Sequence, residues 1–86
     1  MKNGPIMYYA SAFGKTLTVE NVRAASHAFV LIDNSVITLF LYRNGDEYMI
    51  ASSKNIPDGV TFSNEGKTIT IQATKDRLIT CIYPTI

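Results

Sequence analysis

The sequence has one cysteine, Cys81, and one histidine, His27. A single thiol forms no intrachain disulfide and cannot by itself build a structural zinc site. A single imidazole with no nucleophile or carboxylate at a characteristic spacing makes no recognisable general base. Charge is scarce too, at 17% of the chain against about 25% in an average soluble domain. Eight Lys and Arg face seven Asp and Glu, and no run of like charges occurs. Duplex DNA is therefore disfavoured as a partner, because neutralised phosphates supply most of the affinity of a DNA-binding protein. Without a run of like charges, neither a polybasic membrane patch nor an acidic tail is indicated. The longest apolar run, around Val36 to Leu41, falls far short of the ~20 residues that cross a bilayer as a helix. Met1-Lys2-Asn3-Gly4-Pro5 opens no long apolar segment of the secretory type. No membrane association is expected, and a reducing, cytoplasmic setting is the simplest expectation.

What the chain does have is apolar material. Of its 86 residues, 47% are hydrophobic, enough for one small core, and residues 1–86 read as a single domain without repeats or linkers. Sparse charge on so short a chain implies apolar or neutral surface, a hint of self-association.

From His27 onward the pattern is one of strands separated by turn residues. Ala28 to Ile32 is β-rich and ends at Asp33-Asn34, two residues that tolerate the left-handed conformation of a tight turn. Ser35 to Arg43 follows, then Asn44-Gly45, a strong hairpin signal, and the return strand Asp46 to Ser53. Asn55-Ile56-Pro57-Asp58-Gly59 reads as a loop, Val60 to Ser63 as a short strand and Asn64-Glu65-Gly66 as a turn. Lys67 to Thr74 alternates strictly, with Ile69, Ile71 and Ala73 on one side and threonines and Gln72 on the other. Lys75-Asp76 reads as a further turn before Arg77 to Tyr83, which Pro84 ends. Ile6 to Phe13 reads as a strand. Thr16 to Ser26 admits two readings: a short helix over about 18–26 capped by Thr18, or a strand in which Leu17 and Val19 alternate with threonines. The expected fold is mainly β, an antiparallel meander of six to eight short strands in a small sandwich or barrel, with the helix near 18–26 as its one open element.

With Asn44-Gly45 as a two-residue loop, Tyr42 pairs with Glu47, Phe40 with Met49 and Leu39 with Ile50. Phe40 and Met49 then share one face, and Leu39, Leu41, Tyr48 and Ile50 the other. In the last strand Leu78, Thr80 and Ile82 oppose Ile79, Cys81 and Tyr83. A sheet with one wet face shows a polar set on each strand; these strands do not. The surplus points to a homo-oligomer, with Leu39, Leu41, Tyr48, Ile50, Ile79 and Tyr83 as the expected interface. The competing cover for the second face is the chain's own residues 6–26.

Motifs for chemistry are missing. Gly14-Lys15-Thr16 and Gly66-Lys67-Thr68 echo a phosphate-binding loop, but the required upstream glycines are Tyr9 and Thr61. His27, opposite Phe40 on an apolar face, reads as a packing histidine. Cys81, inside a strand with no neighbouring cation, reads as a small apolar residue. Asp46 and Glu47 point to opposite faces, and no catalytic, metal or cofactor site is expected. The five tyrosines are the suggestive set, since tyrosine is enriched in interfaces. The leading expectation is a non-catalytic protein-binding or assembly module, homo-oligomeric and also contacting another protein, of the kind found among small bacterial or phage accessory and inhibitor proteins. An alternative is a small-ligand, nucleotide-like binding protein with Tyr42, Arg43 and Arg77 in a pocket at an oligomer interface. A third is a weak single-stranded nucleic-acid binder that stacks bases on its tyrosines.

Overall fold

The computed structural model describes residues 7–85. The Met1 to Pro5 reading and Ile6 lie outside the described residues. Among the described residues six strands and no helix are found: β1 (Met7–Val19), β2 (Ser26–Ile32), β3 (Ser35–Asn44), β4 (Glu47–Ser52), β5 (Val60–Glu65) and β6 (Thr68–Pro84). All pairings are antiparallel. With no helix in the described residues, none is long and apolar enough to cross a membrane.

The 17-residue β6 organises the sheet. β1 runs along one side of it; on the other side β5 pairs with its first half and β2 with its second. The β2–β3–β4 meander continues from there, giving the order β1-β6-β2-β3-β4 with β5 also on β6. The sheet curls into a half-barrel that brings β4 towards β5, where Asn64 Nδ2 donates to the Tyr48 carbonyl oxygen at 2.8 Å. The concave side is the core. Ile37, Leu39 and Leu41 from β3, Ala28 and Val30 from β2, Ile69 and Ile71 from the first half of β6, and Ile79 and Cys81 from its second half are buried there. Each fully buried aliphatic side chain contributes roughly 1.5–3 kcal/mol, and their convergence is what curls the sheet.

The turns follow the local chemistry. Asp33 and Asn34 both have positive φ, 52° and 64°, as a type I′ turn requires. At the next hairpin Asn44 pairs with Glu47, so the loop is Gly45-Asp46 rather than Asn44-Gly45. Positive φ falls on Gly45 and not on Asp46, the pattern of a turn with glycine first. The ladder is displaced by two residues from the expected one: Tyr42 pairs with Met49, Leu41 with Ile50 and Phe40 with Ala51. An even displacement leaves every side chain on its expected face.

Two expectations are corrected. The helix near 18–26 does not form. Leu17 and Val19 instead pair with Ile71 and Ile69 in the core, and positive φ at Asn21 and Ala25 prevents helical continuation. Nor does Lys75-Asp76 form a turn between strands. β6 passes through it as a bulge: between the pairs Gly14–Arg77 and Thr16–Gln72, β1 advances by two residues while β6 spans five. That irregularity switches which residues of β1 face inward. Ala10 and Ala12 do so before it, Leu17 and Val19 after it.

Candidate interaction surface

The convex face of the half-barrel divides into two halves of opposite chemistry, although β1 and β6 run through both. In the half built by β5, the start of β6 and the end of β1, the outward residues are Thr61 and Ser63, Thr68, Thr70, Gln72 and Thr74, and Thr16 and Thr18. This is the ordinary wet side of a sheet. In the other half the ladder places different residues outward. Tyr9, Ile82, Phe29 and Thr38 form one row across β1, β6, β2 and β3; Ser11, Thr80, Leu31 and Val36 form the next; Phe13 and Leu78 begin a third. Exposure is high for Phe13 (74%), Tyr9 (71%), Leu78 (57%) and Val36 (54%).

Two polar residues within this half bond each other: Ser11 Oγ lies 3.1 Å from Thr80 Oγ1, and Thr80 is buried. Further along β2 and β3 the His27 ring packs on Phe40, centroids 4.9 Å apart, and Phe40 stacks near Tyr42 at 6.3 Å. At the β2–β3 turn the face is indented by a cavity of about 450 Å³ lined by Leu31, Val36, Leu78 and Thr80 with the turn residues Asp33 to Ser35. Arg77 Nη1 lies 2.8 Å from Asp33 Oδ2 beside it, with the arginine side chain mostly buried.

The expected interface residues are placed differently. Leu39, Leu41, Ile79 and Tyr83 lie in the protomer's own core, and Tyr48 and Ile50 are half-buried against it. They are on the concave side, which the curl of the sheet covers, so no second chain is needed to bury them. The uncovered apolar side belongs to their neighbours in sequence. Sequence reasoning identified the two-sided strands and counted Tyr9 among the suggestive tyrosines but missed Phe13, Leu31, Val36 and Leu78, because which side curls inward is decided by long-range packing. The alternation of Leu78, Thr80 and Ile82 carried the signal.

Within one protomer the ligand set Tyr42, Arg43 and Arg77, expected at an oligomer interface, is not brought together. Arg77 is held at the Asp33 end of β3, whereas Arg43 is at its far end, a separation of roughly 25 Å at the rise of a strand. Arg43 Nε donates to the Gly45 carbonyl oxygen at 3.2 Å, and Arg43 and Lys67 both lie over the Tyr48 ring. Of the two Gly-Lys-Thr segments, one lies within β1 and the other at the β5–β6 turn, and neither leads into a helix. Burial pushes the Cys81 thiol up from 9.0 to about 12, the opposite of a reactive cysteine. Among the described residues no group of three or more His, Cys, Asp or Glu side chains stands close enough to hold a metal ion. No family model matches this chain, and neither a curated protein nor a solved structure is significantly similar to it.

Proposed function

We propose that this protein is a non-catalytic assembly module whose docking surface is the apolar half of the convex face, used for self-association and for contact with another protein. The observation that carries the reading is the division of that face: the same two strands present threonines in one half and Tyr9, Phe13, Leu78 and Ile82 in the other. Four strands at about 4.8 Å spacing and some 20 Å of strand length make a face on the order of 400 Å². Contiguous apolar patches of this size on soluble proteins are often functional. The cavity at the β2–β3 turn gives the face a recess for an anchoring side chain, the usual form of an interface hot spot.

The cavity also suits a small apolar ligand by volume. A nucleotide suits it poorly, since the cation beside it, Arg77, is already engaged by Asp33. The test is light scattering on the double variant Leu31→Glu/Leu78→Glu. Both side chains point outward, so the variant is expected to stay folded and to lose the self-association of the wild type. Unchanged mass in a folded variant would contradict the reading.

A further inference from the structure

The apolar half ends at β1, and β1 is an edge. Among the described residues it pairs with β6 on one side only, so over thirteen residues alternate backbone N–H and C=O groups have no described strand beside them. Proteins usually protect such an edge with proline, charge, shortness or a covering helix. Met7–Val19 contains no proline and one charged residue, Lys15, and no helix of the described residues covers it. Its one irregularity comes after Gly14, so Met7 to Gly14 is a regular strand paired without a shift to Pro84 through Arg77. Tyr9 and Phe13, the two most exposed large apolar side chains of the described residues, both lie in that stretch.

The stretch is also nearly palindromic. Tyr9-Ala10-Ser11-Ala12-Phe13 reads aromatic, alanine, serine, alanine, aromatic about Ser11. Two antiparallel copies related by a two-fold axis at Ser11 place Tyr9 of each against Phe13 of the other, Ala10 against Ala12, and Ser11 against itself. A two-fold contact must be self-complementary in this sense. Aromatic cross-strand pairs on one face each contribute roughly 0.2–1 kcal/mol, while the alanines leave the opposite face uncrowded. The two Lys15 side chains fall at opposite ends of the paired segment, about 26 Å apart at the rise of a strand and beyond the ~8 Å screening length of physiological salt.

We infer that β1 is a homotypic pairing edge: a second copy of this chain adds its β1 antiparallel to the first, with Ser11 at the two-fold axis. The inference rests on the reading of the apolar half as an assembly surface and specifies its geometry. Edge pairing joins the apolar halves of two protomers into one continuous face, doubling what is available for stacking or for a further partner. The 400 Å² of a single protomer is about half of what each side of a standard interface buries.

The test is oxidative cross-linking of the full chain carrying Ser11→Cys. Two copies paired at position 11 hold their Cα atoms about 4.5–5.5 Å apart, within the range that a disulfide spans. Wild type supplies the background, since its one cysteine is buried. Thr61→Cys, exposed on the polar half, supplies the collisional rate. Ser11→Cys is expected to form a covalent dimer on the order of a thousandfold faster than Thr61→Cys, the ratio of a millimolar effective concentration to a micromolar free one. A mixture of Tyr9→Cys and Phe13→Cys is expected to give mixed dimers in preference to either homodimer. Ser11→Cys cross-linking no faster than Thr61→Cys overturns the edge pairing. Its failure is separable from that of the proposed function. A wild type that associates, loses association in Leu31→Glu/Leu78→Glu and does not cross-link at position 11 refutes the edge and leaves the face standing.

Discussion

Phe13 and Leu78 stand directly opposite one another across the β1–β6 ladder, both outward and both more than half exposed. A few residues along the same two strands, Thr18 faces Thr70 on the same side of the sheet, their hydroxyl oxygens 3.4 Å apart. Propensity does not explain the difference, since both halves are equally good strand. Solvent exposure does not explain it either, since the described residues leave both halves uncovered. Association does.

The two sides of β3 are expected to respond differently to truncation. Leu39→Ala, in the core, should cost about 2–5 kcal/mol through lost transfer energy and a residual cavity. Val36→Ala, on the exposed side, should cost well under ~1 kcal/mol in a monomer and act mainly on association. Urea denaturation of both variants, with m compared to wild type, checks this.

The contact between Arg77 and Asp33 joins the β2–β3 turn to the bulge of β6. Asp33→Asn keeps a residue that accepts the left-handed turn conformation and removes only the charge. The mostly buried guanidinium is then left without its counter-charge, with an expected loss of about 1–3 kcal/mol. Arg77→Met in the same background should recover part of it. Thermal melts of the two single variants and the double variant measure the coupling.

Glycine at position 59 is required twice over. Its φ is +80°, and a Cβ there would strike the Thr74 hydroxyl across the loop that leads into β5. Gly45 has a similar φ, +66°, with open space around it. Gly45→Ala should therefore cost only the conformational penalty, about 1–2 kcal/mol, and Gly59→Ala distinctly more. Equal losses would refute the steric part of this account.

Alkaline pH should destabilise the fold through Cys81. Below 9.0 the thiol is protonated in both folded and unfolded chains; between 9.0 and about 12 only the unfolded chain ionises. Stability then falls with rising pH by up to ~1.4 kcal/mol per unit across that window. The Tyr83 phenol, also raised by burial, acts in the same direction. Cys81→Ala should be less stable at pH 7 but show a shallower alkaline slope. Native protein should react slowly with thiol reagents and rapidly once unfolded.

Much of this architecture was legible in the sequence, and the parts that were not share a physical cause. Turns are local: Asp33-Asn34 and the loop at Pro57-Asp58-Gly59 followed from residue chemistry, and face alternation survived a two-residue error in the β3–β4 register because two is the period of a strand. Whether Val19 belonged to a helix or a strand depended on its partner Ile69, far away in sequence. Lys75-Asp76 resembled a turn because polar residues interrupt the alternation there, and only the β1 partner shows the interruption to be a bulge. The surface was half legible. Apolarity on both sides of the last strand signalled an uncovered face, while the curl of the sheet decided that Leu78 and Ile82 are on it and Ile79 and Cys81 are not.

Sedimentation equilibrium of the wild-type chain, from about 1 μM to about 1 mM, tests the account most directly, since that range brackets moderate and weak association. The weight-average mass is expected to rise from 9.5 kDa towards at least twice that value, and to stay near 9.5 kDa in the Leu31→Glu/Leu78→Glu variant. A wild-type mass that remains at 9.5 kDa across the whole range would contradict self-assembly through the convex face.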